Sequence, residues 1–260
     1  MIIGLIYFLV ISGASILGAI VGLGGGVIIR PVFDALAFHH VLDIGFYTST
    51  AIFAMAIIST IKRVQDGTKI DIKIALFMST GAVIGGTLGN LLLEGLLQNL
   101  DNQQNVQYIQ IAATIVVLLF SLVLTAKSEK LSLPVKNKIF CMPIGIMLGI
   151  IASFLGMGGG PINVPLFMIL FGLNIKDATA YSIIIIFFSH LSRLVTMGFT
   201  VGYTYFDLSM LPYVIVAAAL GGLIGARLSK VASGKLVKRL FQGAICAVIL
   251  LNVTNALFLI

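Results

Sequence analysis

The sequence predicts an all-α polytopic membrane protein, and three observations support this prediction. Of its 260 residues, 59% are hydrophobic and only 10% are charged, whereas charged residues make up about 25% of a typical soluble domain. Several apolar runs reach the roughly 20 residues that cross a bilayer core as a helix. The short alternating segments that are typical of membrane β-barrels do not occur in the sequence.

Five apolar segments follow one another in each half of the chain. In the first half they lie at about 2–21, 27–38, 44–61, 74–97 and 105–126. In the second half they lie at about 139–155, 161–172, 178–199, 208–228 and 239–259. The second segment of each half has only about 12 residues, too few to cross a bilayer alone. Each of these short segments is therefore either re-entrant or completed by turns of a neighbouring helix.

A glycine-rich stretch occurs once in each half at the same internal spacing. The first is Gly22–Gly26 followed by Pro31-Val32-Phe33, and the second is Gly156–Gly160 followed by Pro165-Leu166-Phe167. The match extends along both halves, at Asp43 and Asp177, Tyr47 and Tyr181, Gly85 and Gly221, and Gln110 and Gln242. Such internal similarity indicates one integrated transport domain, with a first repeat at 1–126, a linker at 127–138 and a second repeat at 139–260.

The Lys and Arg residues predict the orientation in the membrane. Fourteen of the 16 lie in the connectors 62–73, 127–138 and 227–239 or at Lys176, and the positive-inside rule places these on the cytoplasmic face. The third segment then runs inward in the first half and outward in the second, so the halves form an inverted repeat. We expect a multi-pass protein of a prokaryotic cytoplasmic (inner) membrane with both termini outside. Inverted repeats are typical of transporters whose substrate site lies near the midplane.

The glycine stretches are candidates for an anion site. Consecutive glycines are poor helix residues, and backbone groups that lose helix partners at membrane depth must face protein, water or a ligand. A helix follows each stretch, so free amides and the positive end of its dipole favour an anion there. We expect two Gly-kinked helical hairpins to meet near the midplane. The substrate-binding glycines would be Gly24, Gly25, Gly26, Gly158, Gly159 and Gly160.

Close helix packing through small residues is the alternative role for glycines in membrane helices. For the glycine stretches we favour a broken-helix site. For the glycines of the fourth segments we favour packing. These are Gly81, Gly85, Gly86 and Gly89 in the first half and Gly221, Gly222 and Gly225 in the second.

The motifs resemble the sulfite exporter TauE/SafE family of membrane transporters. The resemblance rests on both glycine stretches with their Pro-x-Phe sequences and on Gly222-Leu223-Ile224-Gly225-Ala226-Arg227-Leu228, and it covers nearly the whole chain. It implies an inner-membrane carrier of a small sulfur-containing anion, such as sulfite or a sulfonate like sulfoacetate. The matching segment Gly85–Asn90 lacks the arginine, so a symmetric role for Arg227 is not expected. The resemblance does not identify binding residues.

Two basic residues, Arg30 and Arg193, fall within apolar segments. A charge inside the membrane is costly and by default functional, and a guanidinium binds oxyanions through paired hydrogen bonds. Alternatively, Arg193 could extend to the outer headgroups or pair with an acidic residue, and Arg30 could pair with Asp34 four residues later. Asn163 could donate to an oxyanion or cap a helix.

Further polar residues are candidates for the transport path or for proton coupling. His190 lies one turn before Arg193 on the same face and could carry a coupled proton, or it could be a structural hydrogen-bonding group. The remaining candidates, whose hydroxyls also bond to helix carbonyls in many proteins, are Ser49, Thr50, Ser182 and Ser189.

These features predict a secondary transporter of a small sulfur-containing anion, working by alternating access, and not an enzyme. No P-loop or metal-ligand spacing occurs in the sequence, so we expect no ATPase activity, cofactor or metal. An anion channel is the alternative, and an intramembrane hydrolase is less favoured because Ser189 and His190 diverge on a helix. The expected partners are the small anion and the lipid bilayer. The net charge of +7 lies on the connectors, so no nucleic acid is expected, and the oligomeric state stays open.

Overall fold

The computed structural model describes residues 2–68, 70–99, 103–128 and 138–258. These residues form helices and no β-strand. The first half contains α1 (Ile2–Val21), α2 (Gly26–Leu36), α3 (Val41–Gln65), α4 (Ile72–Asn99) and α5 (Gln103–Lys127). The second half contains α6 (Cys141–Leu155), α7 (Gly160–Phe171), α8 (Ile175–Thr200), α9 (Leu211–Val231) and α10 (Gly234–Phe258). Each predicted segment corresponds to one of these helices, so the polytopic helical fold is confirmed.

Helix length separates spanning helices from shorter ones. Among the described residues, seven helices are long and apolar enough to cross a membrane, namely α1, α3, α4, α5, α8, α9 and α10. By contrast, α2 has 11 residues and α7 has 12, and at about 1.5 Å per residue each covers roughly half of a bilayer core. Both are separate helices that begin after a glycine turn, and neither continues its neighbour.

The helix contacts of the first half recur in the second. α4 packs along α6 as α9 packs along α1, and α3 contacts α9 as α8 contacts α4. The short helices follow the same rule, since α2 contacts α3 and α10 while α7 contacts α8 and α5. This pattern supports two related halves, and their inverted orientation stays a prediction. Most of the linker at 127–138 lies outside the described residues, as do the first residue and the last two.

Glycines allow the two most extensive helix pairs to approach closely. A Cβ atom placed on Gly85 of α4 would overlap the carbonyl oxygen of Ile146 on α6. One placed on Gly221 of α9 would lie 2.7 Å from the carbonyl oxygen of Ser12 on α1. Ser12 and Ile146 are themselves separated by the repeat offset of 134 residues, so the same contact occurs in both halves. The packing interpretation of these glycines is confirmed.

Side chains of α5 and α10 form hydrogen bonds to the short helices α7 and α2. Pro165 in α7 has no N–H and cannot bond to the carbonyl of Pro161 four residues earlier, and the Ser121 hydroxyl of α5 donates to that carbonyl instead. In the other half, the Asn255 side chain of α10 donates to the carbonyl of Pro31 in α2 at 2.7 Å. Polar side chains therefore fix both proline-containing helices from outside.

Replacing Gly85 by Ala tests the close packing of α4 on α6. The added methyl group would overlap the Ile146 carbonyl, and overpacking of this kind costs about 1–3 kcal/mol. We expect the apparent melting temperature in detergent to fall by at least a few degrees, about 2–4 °C per kcal/mol. The control is Gly95→Ala on the same helix, where the methyl group would meet no atom within 4 Å. Equal melting temperatures for the two variants would contradict the packing.

Candidate functional site

Each glycine stretch forms a sharp turn between two helices. Gly22, Gly24 and Gly25 have φ angles of +76°, +87° and +69°, and Gly156 and Gly158 have φ angles of +66° and +80°. These values lie in the left-handed region, which side chains disfavour and glycine tolerates. The sequence therefore breaks the helix at both places, as predicted.

The two turns lie against each other in the interior. A Cβ atom on Gly160 would overlap the backbone of Leu23 in the first turn. One on Gly26 would lie 2.8 Å from the carbonyl oxygen of Met157 in the second. All residues of both stretches are buried. The two turns thus form one contact region at the centre of the described structure.

Several backbone amides of these turns have no hydrogen-bond partner in the described part of the chain. In the second turn they are the amides of Met157, Gly158, Gly159 and Gly160. The first N–H groups of a helix lack partners within that helix and need another acceptor. Because this end of α7 is buried, its free amides and positive dipole end are suited to an anionic ligand.

The two arginines within the apolar segments are both buried. Arg30 is 5% exposed and Arg193 is 1% exposed. The Nε atom of Arg30 donates to Asp34 at 3.1 Å, and its Nη2 atom donates to Gln110 at 2.7 Å. Its Nη1 atom has no partner among the described residues, nor do the Nε and Nη1 atoms of Arg193. Buried donors without acceptors are rare and costly, so the free N–H groups of this pair are candidates for binding a ligand.

Gly156 brings the two guanidinium groups together. A Cβ atom there would lie 2.6 Å from Nη1 of Arg30 and 2.7 Å from Nη1 of Arg193. Gly45 on α3 provides space on the other side, since its Cβ would lie 2.9 Å from Nη2 of Arg193. The unpartnered Nη1 atoms of both arginines therefore converge on the first residue of the second glycine turn.

This arginine pair has no counterpart at the equivalent place of the repeat. The residue that matches Gly45 is Thr179, and it packs against Gly22, where a Cβ atom would lie 2.7 Å from it. The repeat offset places Val164 opposite Arg30 and Ser59 opposite Arg193. The scaffold is thus symmetric, whereas its charged site is formed on one side only.

Gln110 connects the arginine pair to the end of α6. Its Nε2 atom donates to the carbonyl of Phe154 at 2.7 Å, while its Oε1 atom accepts from Arg30. The bond fixes the amide orientation, so that Gln110 presents an acceptor to the guanidinium. The repeat match with Gln242 brought Gln110 to attention, but its contact with Arg30 spans 80 residues and was not predicted.

Two further polar residues lie beside the second turn. The Nε2 atom of His190 is 3.5 Å from the Cβ position of Gly158, and Oδ1 of Asn163 is 2.9 Å from that of Gly159. Both ring nitrogens of His190 and both amide atoms of Asn163 are without partners in the described chain. The second turn is therefore surrounded by unpartnered polar groups.

The first turn has a more apolar surrounding. A Cβ atom on Gly24 would meet the side chain of Ile186 at 3.0 Å, and one on Gly26 would overlap Ile52. Gly25 faces the backbone of α1, with the carbonyl oxygen of Ala14 3.2 Å from its Cβ position. Substrate binding by these three glycines stays a prediction.

The Ser and Thr residues predicted for the transport path differ in what their hydroxyls contact. Thr50 donates to the carbonyl of Phe46 in its own helix, and Ser189 donates to that of Ile186, which is common helix back-bonding. The Ser182 hydroxyl donates to the carbonyl of Gly22 at 2.7 Å and so holds the first turn. The remaining candidate, Ser49, is buried, and its hydroxyl has no partner among the described residues.

Comparison with known proteins agrees with this architecture. The family model described as "Sulfite exporter TauE/SafE" matches residues 7–251. The chain belongs to the sulfite exporter TauE/SafE family. A relative from Paramagnetospirillum magneticum, named "Probable membrane transporter protein MamO", is 26% identical over 117 residues, which are 43% of this chain and 18% of the relative. The chain thus matches less than one fifth of that relative's length, and the family and the relative's name both indicate membrane transport.

In this TauE/SafE protein, a basic cavity of about 130 Å³ lies where α3 and α9 end. The Lys62 and Lys230 side chains donate to Asp66 there, at 3.1 and 3.0 Å, and these bonds lower the pKa of the Asp66 carboxyl. Arg63, also in the lining, donates to the carbonyl of Ala19 near the end of α1 at 2.6 Å. The cavity therefore lies beside the helix that leads into the first glycine turn.

Gly156→Ala tests whether the second turn makes room for the arginines. The control is Gly172→Ala, because Gly172 has a similar φ of +62° but no atom within 4 Å of its Cβ position. Both variants carry the strain of a left-handed alanine, about 1–2 kcal/mol, and only Gly156→Ala also displaces the guanidiniums. We expect the free energy of unfolding to fall by about 1–3 kcal/mol more in Gly156→Ala than in Gly172→Ala. Equal losses would show that the arginines do not occupy this space.

Proposed function

We propose that this protein is a secondary transporter that carries a small sulfur-containing anion across the cytoplasmic membrane by alternating access. The cargo class comprises sulfite, sulfonates such as sulfoacetate, and similar small organic anions. The observation that carries the proposal is the buried pair Arg30 and Arg193, whose free N–H groups converge at Gly156. Membership of the TauE/SafE family supports both the transport function and the sulfur-containing substrate.

The charge balance at this pair favours an anion. Within the described residues Asp34 is paired with Arg30, and Arg193 forms no salt bridge. Arg193 is therefore buried without a carboxylate in contact with it, and Glu94 acts on it only from a distance. An unpaired buried charge is strongly destabilising, and an anion that enters the site would remove that cost.

The geometry of the donors suits an oxyanion. A guanidinium presents planar N–H groups that bind two oxygens at once, and sulfite and sulfonate groups carry three oxygens on one sulfur atom. Two arginines can bind different oxygens of one such group. The free amides of the second turn, together with Asn163 and His190, provide further donors for the remaining part of the cargo.

Burial favours a carrier over an anion channel. Arg193 is 1% exposed, and both glycine turns are enclosed by the surrounding helices. An enclosed site must open to each side in turn, which an inverted repeat with hairpins meeting near the midplane would allow. The basic cavity at Arg63 and Lys230 would attract anions on the side that the positive-inside rule assigns to the cytoplasm.

The contacts of Ser189 argue against a hydrolase. Its hydroxyl donates to the carbonyl of Ile186 in its own helix, and both ring nitrogens of His190 lack partners among the described residues. A nucleophile needs a base within hydrogen-bond reach. The side chains are adjacent in sequence without forming such a pair, so we propose no enzymatic activity.

The proposal is tested by measuring flux of labelled sulfite and sulfoacetate into proteoliposomes. We expect Arg193→Ala to reduce flux at least tenfold, because each lost charge-assisted hydrogen bond is worth about 1.5–3 kcal/mol. Arg193→Lys should recover only part of it, since a lysine cannot bind two oxygens in a planar array. Arg227→Gln, at an exposed basic residue, should leave flux unchanged.

Three outcomes would count against the proposal. Unchanged flux in Arg193→Ala would remove the arginine pair from the substrate site. Flux that does not saturate and shows no counterflow would favour a channel. Absence of flux for every small sulfur-containing anion in the unmodified protein would overturn the substrate class.

A further inference from the structure

We propose that Asp34 is a proton-binding residue that couples proton movement to anion transport, so that one proton travels with each anion. This inference rests on the proposed function of the arginine site and adds its coupling ion. Asp34 would thus do more than pair with Arg30 along α2.

Asp34 is buried directly beside one arginine of the pair. It lies on α2 one turn after Arg30, and its side chain is 7% exposed. Both carboxylate oxygens contact Nε of Arg30, at 3.1 and 3.3 Å. The structure thus buries Asp34 beside the proposed substrate site. A carboxylate in this position would repel an anion bound to the arginine pair unless the carboxylate is protonated.

Asp34 and a bound anion would compete for Arg30. Its Nε atom binds Asp34, its Nη2 atom binds Gln110, and only Nη1 is free toward Gly156. A bound anion and the Asp34 carboxylate would therefore share one guanidinium and repel each other across it. A proton on Asp34 removes this repulsion, and by linkage a bound anion favours the proton equally.

Protonation of Asp34 also changes how strongly the site attracts anions of different charge. Protonation of Asp34 raises the net charge around the arginine pair by one, whatever share of that charge Glu94 offsets from a distance. A divalent anion interacts with this added charge about twice as strongly as a monovalent one. Coupling should therefore be stronger for a divalent oxyanion than for a monovalent sulfonate.

A small cavity beside Asp34 has room for one water molecule that would exchange a proton with it. A cavity of about 10 Å³ adjoins the carboxylate, roughly the space that one water molecule needs. Its lining comprises Arg30, Pro31, Asp34, Gln110, Ile111, Thr114, Leu155, Met157 and Asn252. Only Arg30 and Asp34 in this lining are titratable, and Gln110, Thr114 and Asn252 offer polar groups for a water.

The other charged groups of the site are less suited to this role. His190 lies on α8 one turn from Arg193, whose positive charge opposes a second one. Glu94 on α4 accepts hydrogen bonds from Asn90 and Thr200, at 2.6 and 2.8 Å, and acts on Arg193 only from a distance. Asp34 is the carboxylate that contacts an arginine of the pair in the described structure.

The transport cycle follows from these contacts. A proton from water on one side binds the Asp34 carboxylate and frees the Nε group of Arg30 from its negative partner. The anion then binds both arginines, and the loaded site opens to the other side. When the anion leaves, the proton returns to water there and Asp34 pairs with Arg30 again. One proton and one anion therefore move in the same direction.

The experiment uses thiosulfate, a divalent anion whose charge does not change between about pH 5.5 and 8. We expect the dissociation constant for thiosulfate, measured on the purified protein, to fall at least fivefold as the pH decreases over this range. A change of this size is typical of the coupling between two binding sites. In Asp34→Asn the affinity should be independent of pH and close to the low-pH value of the unmodified protein. Asp34→Glu should keep the pH dependence, and Asp207→Asn, at an exposed carboxylate that caps a short helix, should not alter it.

Proton movement provides a second readout in proteoliposomes that contain a pH-sensitive dye. A thiosulfate gradient should drive protons in the same direction in the unmodified protein and in Asp207→Asn, but not in Asp34→Asn. Retained pH dependence of thiosulfate binding in Asp34→Asn would overturn the role of Asp34. If the unmodified protein binds thiosulfate and sulfite at no pH, the proposed function itself fails. If it transports them without proton movement, only the coupling fails.

Discussion

The buried positive charge of Arg30 and Arg193 is the constraint on which the rest of the structure depends. Two guanidiniums in a membrane interior require acceptors, and the described chain provides Asp34 and Gln110 on one side only. The free donors converge where the backbone itself carries unpartnered amides. In the proposed function, an anion bound there would accept hydrogen bonds from both sets of donors and so offset the cost of burying them where the two hairpins meet.

Glycine makes this arrangement possible in two separate ways. At Gly85 and Gly221 it lets helices approach until a methyl group would touch the neighbouring backbone, and both halves share the contact. At Gly45 and Gly156 it leaves space for guanidinium groups, and only one side of the repeat does so. The repeated scaffold thus provides a rigid frame, and a few differences between the halves turn one of two equivalent places into a charged site.

Much of the fold could be predicted from the sequence, because apolar length, glycine turns and basic connectors are local properties of the chain. Arg30 and Arg193 were found for the same reason, as charges within apolar segments. The contact between Arg30 and Gln110 could not be found, since it joins residues 80 apart. The role of Gly45 was hard to predict, because the residue at the matching position of the other half is Thr179 and not glycine. The positions of Thr50 and Ser189 matched a transport path, yet their hydroxyls bond to their own helices.

The central claim is that the arginine pair binds the anion directly. A structure determined with selenite, the selenium analogue of sulfite, would test this most directly through the anomalous signal of selenium. Our account predicts one selenium atom beside Gly156, with its oxygens within hydrogen-bond distance of Nη1 of both Arg30 and Arg193. Selenium found only in the basic cavity near Arg63 and Lys230, with the arginine pair unchanged, would contradict it.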